Sequence, residues 1–357
     1  MEVSVSASAF ETRENPVGLD GVEFIEYAGT DPKFFETLFT KYGFEKIAKH
    51  PTKQIELYRQ GNINYIVNTE PGTFAAEFAK AHGPSVVSTG FRVKSAIEAF
   101  RTATTRGAQG YLGADHLRGA TPYPAIYGIG DSLVYFMDKD NTKDLYENVF
   151  GLKNGGPAVV GKGFLDVDHF TNNVPKGEMD KWSDFYTGVF GFYEIKYFDI
   201  KGKSTGLLSK AMGSPCGKFA VPINEPSDGK SQIQEYLDEY NGSGIQHIAM
   251  TTNDVIGTLE QLRAANLEFL AAPPDTYYRQ LSARLPMVVE DLERLKKNAI
   301  LVDGDQHGYL LQIFSKNIIG PVFFEVIQRR GHDGFGNGNF QALFDAIEAD
   351  QRERGYL

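Results

Sequence analysis

Two histidines and one glutamate stand where a metal could be held. His169 lies in Asp166-Val167-Asp168-His169-Phe170 and His247 in Ile245-Gln246-His247-Ile248-Ala249-Met250, both strand-like runs. Glu325 sits between Phe323 and Ile327 on one face of Phe323-Phe324-Glu325-Val326-Ile327. A carboxylate on an apolar strand face is costly unless its charge is compensated, and a bound cation does so. His169 and His247 are 78 residues apart, and so are His247 and Glu325. Two neutral imidazoles and one carboxylate make the facial triad of non-haem iron(II) oxygenases, which leaves three coordination positions open for oxygen chemistry. Taken singly, each residue also fits a structural role, a hydrogen-bonded core histidine or a buried ion-pair partner. The matched spacing is what favours a common site.

Elements that would position this set repeat along the chain. Thr30-Asp31-Pro32 reads as a cap followed by proline at the first helical position, Phe34 to Tyr42 as an amphipathic helix, and Gly43-Phe44 as its stop. Met179 to Phe190 is a similar helix stopped by Gly191-Phe192, 148 residues later. The strand Val87 to Val93 with helix Ala96 to Ala103 corresponds to strand Ile245 to Thr251 with helix Val255 to Leu262, at an offset of 159. These pairings predict two domains, residues 1–153 and 154–357, divided near Asn154-Gly155-Gly156-Pro157. Each holds two strand–helix–strands modules of roughly 75 residues that close a core by pairing. At that offset Ser88 takes the place of His247, so the N-terminal domain is expected to be structural and to hold no metal.

Composition narrows the class. A chain of 357 residues, 41% apolar and 23% charged, is globular. No apolar run approaches the length of a membrane span, and the first residues lack the basic start and apolar centre of a secretory signal. The single cysteine, Cys216, rules out an internal disulfide, and a cytoplasmic location is the expectation. A net charge of -10 argues against nucleic acid or an anionic membrane as partner. Two glycine-rich runs are decoys. Gly156 to Gly163 imitates a phosphate loop but lacks the Ser/Thr for magnesium, and Gly334 to Gly338 does not follow the dinucleotide pattern.

Over roughly residues 165 to 345 the chain resembles the 4-hydroxyphenylpyruvate dioxygenase family. The resemblance rests on Asp168-His169-Phe170, Pro222-Ile223-Asn224-Glu225-Pro226, Ser231-Gln232-Ile233-Gln234, Gly244-Ile245-Gln246-His247, Leu311-Gln312-Ile313-Phe314, Phe323 to Arg329 and Gly334 to Phe340. In the N-terminal half it rests on length and on Arg118-Gly119-Ala120. It implies an α+β fold of the vicinal-oxygen-chelate superfamily, also seen in glyoxalase and extradiol dioxygenases. Each domain would pair βαβββ modules into a curved, partly open, barrel-like sheet with helices outside. It implies iron(II) on His169, His247 and Glu325. Ser209, Asn224, Gln232, Gln246 and Gln312 would act on the substrate, with Phe314, Phe335, Asn339 and Phe340 around it. The glutamines alone could be surface strand residues and the phenylalanines core.

The implied reaction takes 4-hydroxyphenylpyruvate and O2 to homogentisate and CO2, by decarboxylation, ring hydroxylation and side-chain migration, in tyrosine and phenylalanine breakdown. The resemblance also implies a homo-oligomer, dimer or tetramer. Rival readings are hydroxymandelate synthase on the same substrate, an extradiol catechol dioxygenase, and a non-catalytic ligand-binding protein of the same fold. At the end of the chain, Asn339 reads as a helix cap, with Phe340, Leu343, Phe344 and Ile347 following at helical spacing. A glycine hinge before an amphipathic helix has the makeup of a lid over the iron.

Overall fold

The computed structural model describes residues 13–113, 122–271 and 273–357. Arg118-Gly119-Ala120 lies outside them. Two curled mixed sheets carry the chain. The first orders its strands Glu45–Lys49, Ile55–Gln60, Ile63–Asn68, Leu19–Ala28, Ser85–Val93, Leu133–Met137 and Ala125–Tyr127. The second orders them Leu301–Gly304, Tyr309–Phe314, Phe323–Arg330, Gly244–Thr252, Phe164–Asn173, Ala220–Pro226, Gly206–Gly213 and Tyr193–Lys201. In each sheet the first strands of two modules pair antiparallel at the centre, and the last strand of each module lies parallel to its own first strand. Among the described residues the module opening at Ser85 has two strands after its helix where the other three modules have three.

The helix signals hold. Asp31 caps Pro32–Tyr42 by accepting from Lys33 N, and Gly43 ends the helix at φ 91°. Met179–Phe185 continues through one wider turn to Gly191 at φ 79°. Glycine takes this left-handed conformation without the steric cost other residues meet. Two local expectations are corrected. Gln232 opens the helix Gln232–Tyr240 rather than a strand, because Ser231 caps it through Gln234 N. Asn339 does not cap the last helix, which runs Asn337–Glu353. The carboxylate of Asp303 takes the N–H groups of Gly338 and Asn339 instead, so the cap comes from another strand.

The sheets pack back to back. Phe91 meets Phe170 at 6.0 Å, Tyr65 meets Phe324 at 6.0 Å, and Tyr65 donates to Met250 Sδ. Period-two alternation therefore turns Ile248, Met250, Phe324 and Val326 into this shared core, and His247, Ala249 and Glu325 to the concave side. No helix among the described residues is long and apolar enough to cross a membrane.

Candidate metal centre

Strand register brings His169, His247 and Glu325 together. Phe314, Glu325, Ala249 and His169 stand opposite one another in a row across four strands. His247 is two residues before Ala249 on the same face, opposite Thr171 and Phe323. Ala249 separates the Glu325 and His169 strands, and its small side chain leaves the space into which the two longer ones reach. His169 Nε2 lies 3.2 Å from Glu325 Oε2, His247 Nε2 lies 3.5 Å from the same oxygen, and the two Nε2 atoms are 3.3 Å apart. All three residues are buried. Among the described residues they are the one group of three His, Cys, Asp or Glu side chains whose ligand atoms all lie within 4.8 Å.

Two bulges orient the imidazoles. Between Ala249/His169 and Met250/Val167 the register slips by one residue, and Asp168 is the extra one. Between Ile245/Asn172 and His247/Thr171 it slips again, and Gln246 is the extra one. Neighbours in a regular strand point to opposite faces, whereas a bulge turns the extra side chain round. Each bulged residue consequently lies beside the histidine that follows it. His169 Nδ1 donates to Asp168 Oδ2 at 2.7 Å, and His247 Nδ1 donates to Gln246 Oε1 at 3.0 Å. Both Nε2 atoms thus point at Glu325, with Thr171 Oγ1 also 3.0 Å from that of His247, and a metal taking the place of the His169 proton would meet both imidazoles in the orientation in which metal-bound histidines are held.

The electrostatics suit a cation. Burial, and then the charge of His169, hold His247 well below the usual histidine range, so it is a neutral donor. Burial also opposes charge on His169, but Glu325 and Asp168 outweigh it and push the imidazole up to about 9. The negative field that holds that proton would hold a cation equally. Burial raises Glu325, only partly offset by His169, and its Oε1 has no hydrogen-bond partner among the described residues. A buried carboxylate oxygen facing two imidazoles without a partner fits a metal ligand.

The surrounding cavity is lined by Phe198, Ser209, Asn224, Gln312, Phe314, Phe335, Phe340 and Leu343, with Thr171, Ala211, Pro222 and Ile327 completing it. Six of the residues expected around a substrate therefore face the triad. Asn339 stands behind, tying Gln312 Oε1 to Tyr277. Gln232 and Gln246 line a different cavity, beyond Phe323, whose ring stacks on His247 at 4.8 Å. The sequence reading missed Phe198, Thr171, Ala211, Pro222 and Ile327. The last four are each two residues from one that it named, so the period of the strand was the signal that could have found them, whereas nothing local marked Phe198.

In the first sheet the same architecture carries other side chains at these places. Its central strands slip at the corresponding places, with Glu23 and Val87 as the extra residues. Register then sets Phe24 in the place of His169, Ser88 in that of His247 and Tyr135 in that of Glu325. Gly90 replaces Ala249, and a Cβ there would fall 2.5 Å from the Phe24 ring. A purified, metal-loaded chain is accordingly expected to carry one metal ion by elemental analysis. Two ions bound stoichiometrically would overturn this division of labour.

Residues 13–151 match the family model described as Hydroxyphenylpyruvate dioxygenase, HPPD, N-terminal. Residues 166–312 match that of the Glyoxalase/Bleomycin resistance protein/Dioxygenase superfamily. The chain is 48% identical to Protein MelA of Shewanella colwelliana over 97% of this chain and 99% of that protein. It is 47% identical to the 4-hydroxyphenylpyruvate dioxygenase of Legionella pneumophila over 96% and 98%. A solved fusion of a xylose isomerase-like TIM barrel and a 4-hydroxyphenylpyruvate dioxygenase superposes with a TM-score of 0.78 at 31% identity. That match covers 94% of this chain, which spans about half, 54%, of the fusion.

Proposed function

The chain belongs to the 4-hydroxyphenylpyruvate dioxygenase family, and we propose that it holds iron(II) on His169, His247 and Glu325 and converts 4-hydroxyphenylpyruvate and O2 to homogentisate and CO2. The observation that carries the metal assignment is the buried triad with each imidazole fixed through Nδ1. Iron(II), when bound, supplies open positions for the 2-oxo acid and the redox chemistry for O2. The balance is closed without a further reductant. The 2-oxo acid gives up two electrons as CO2 leaves, one oxygen atom enters the new carboxylate, and the other becomes the new ring hydroxyl.

The chain's own residues shape the rest. Phe198, Phe314, Phe335, Phe340 and Leu343 wall a slot suited to an aromatic ring and keep bulk water from the reacting atoms. Ser209 and Asn224 are cross-strand partners, with Phe198 next in the same row. Ser209 Oγ and Asn224 Oδ1 are buried and unpartnered among the described residues, so they can take a polar end of the substrate. Asn224 Nδ2 is fixed by Asn173 Oδ1 at 3.1 Å. Gln312 presents its amide from the strand that also carries Phe314. Gln246 holds His247 through Oε1, and Gln232 lines the neighbouring cavity.

Anaerobic loading with iron(II), addition of 4-hydroxyphenylpyruvate and O2, and identification of the product tests the reading. Homogentisate with one CO2 released per turnover is expected. Hydroxymandelate would move the assignment to benzylic hydroxylation, and tight binding without turnover would make the chain a binding protein. A milder variant tests the pocket. An unpartnered buried hydroxyl costs about 1–3 kcal/mol, so Ser209→Ala should melt no lower than the parent while KM rises. A marked fall in Tm at unchanged KM would make Ser209 structural.

A further inference from the structure

Arg329 lies four residues beyond Glu325 on the strand Phe323–Arg330. Through Nε and one terminal nitrogen its guanidinium donates to both oxygens of Asp168, at 2.7 and 2.8 Å. The other terminal nitrogen donates to the carbonyls of His332, at 2.9 Å, and Gly334, at 2.7 Å. Asp168 is the bulged residue that fixes His169. Gly334 precedes Phe335, whose ring lies edge-on to His169 at 5.0 Å and 5.7 Å from the guanidinium. One side chain thus grips both the group that orients a metal ligand and the segment that covers it.

A buried ion pair is by itself weak as a source of stability, because desolvation offsets much of the attraction. What this one adds is geometry. A planar guanidinium meets a carboxylate through two parallel bonds and still has donors directed elsewhere, which an ammonium cannot reproduce. We infer that Arg329 is a positioning residue that couples the seating of segment 331–338 to the orientation of His169. The inference rests on the metal assignment above. When the segment lifts, the guanidinium loses two acceptors and its alignment on Asp168. Asp168 then holds the imidazole less well, and Phe335 no longer confines it. Metal retention and closure of the segment are therefore one event.

Two measurements on the full chain test it. The first is the rate of iron(II) loss to a chelator without oxygen. The second is hydrogen exchange across 331–340, with and without iron. In the parent protein, iron should slow exchange in this segment. Arg329→Gln should lose iron about ten- to hundredfold faster, the usual effect of removing a partner of a metal ligand, and iron should no longer protect the segment. Arg329→Lys keeps one contact to Asp168 but not both carbonyls. It should release iron at an intermediate rate and leave the segment unprotected. Arg330→Gln alters an exposed neighbour paired with Glu290 and should match the parent. Iron loss within twofold of the parent in Arg329→Gln, or equal protection of the segment in both, overturns the coupling. Where Arg329→Gln does not fold, Arg329→Lys decides by the same two criteria. A parent protein that itself retains no stoichiometric iron overturns the metal assignment instead, before any variant is compared.

Discussion

Iron-replete His169→Ala, His247→Ala and Glu325→Ala proteins should each stay folded and lose turnover by roughly a thousandfold or more, since a catalytic metal supplies several kcal/mol and each 1.36 kcal/mol is a factor of ten. The three variants should differ in stability, which separates the role of the site from its effect on the fold. Glu325 is buried, burial raises its carboxyl, and Oε1 is unpartnered among the described residues. Removing it relieves a desolvation cost but takes from His169 the charge that holds its proton, so the two effects oppose each other. Metal-free Glu325→Ala should thus melt close to the parent, while iron no longer stabilises it. His247→Ala removes a ring packed against Phe323 and Phe314, leaves a cavity, and should melt somewhat lower. Thermal unfolding with and without iron, beside the activity assay, reads all of this. Full activity in purified, iron-replete His247→Ala would sink the metal assignment.

Equal spacing made much of the site legible in the sequence. It grouped His169, His247 and Glu325, and the repeat placed Ser88 where register now finds it, in the position of His247. Glycine stops and caps located the helices after the first strands because those signals act within a few residues. What escaped depends on register or on distant contacts. The bulges at Asp168 and Gln246 are one-residue slips between strands almost eighty positions apart, and nothing in either run marks them. Gln246 read as a residue for substrate, yet its bulge turns it onto His247. The capping of Gly338 by Asp303 and the grip of Arg329 on Asp168 are likewise tertiary, so local rules led to Asn339 for the first and gave no hint of the second.

The largest effect expected away from the metal comes from the last helix. Phe340 and Leu343 reach from Asn337–Glu353 into the wall of the triad cavity, and Phe340 meets Phe198 edge-on at 5.0 Å. We propose that this helix is a lid. It is also fastened. Asp303 holds its first turn, and Glu348 accepts from the N–H groups of Lys203, Ser204 and Thr205 and from the Thr205 hydroxyl. Ending the chain at Gly338 removes the Glu348 ties along with Phe340, Leu343, Phe344 and Ile347, and leaves Asp303 no helix to cap. At about 1.5–3 kcal/mol for each large apolar side chain, the loss is comparable with the whole stability of a domain, about 5–15 kcal/mol. The truncated protein should therefore melt well below the parent. If the sheet keeps its fold, iron binding should survive, because none of the three proposed ligands lies on the helix. Turnover should fall steeply, and oxygen consumption should exceed homogentisate formation, because water and reductants then reach the reacting atoms. Glu348→Gln keeps every apolar contact and loosens only the fastening. It should retain a near-parental Tm and show a milder version of the same uncoupling. If the truncated chain aggregates and Glu348→Gln stays tightly coupled, the helix belongs to the core. If the truncated chain turns over with normal coupling, it is neither lid nor core, and exclusion of water must come from Phe335 and the strand residues alone.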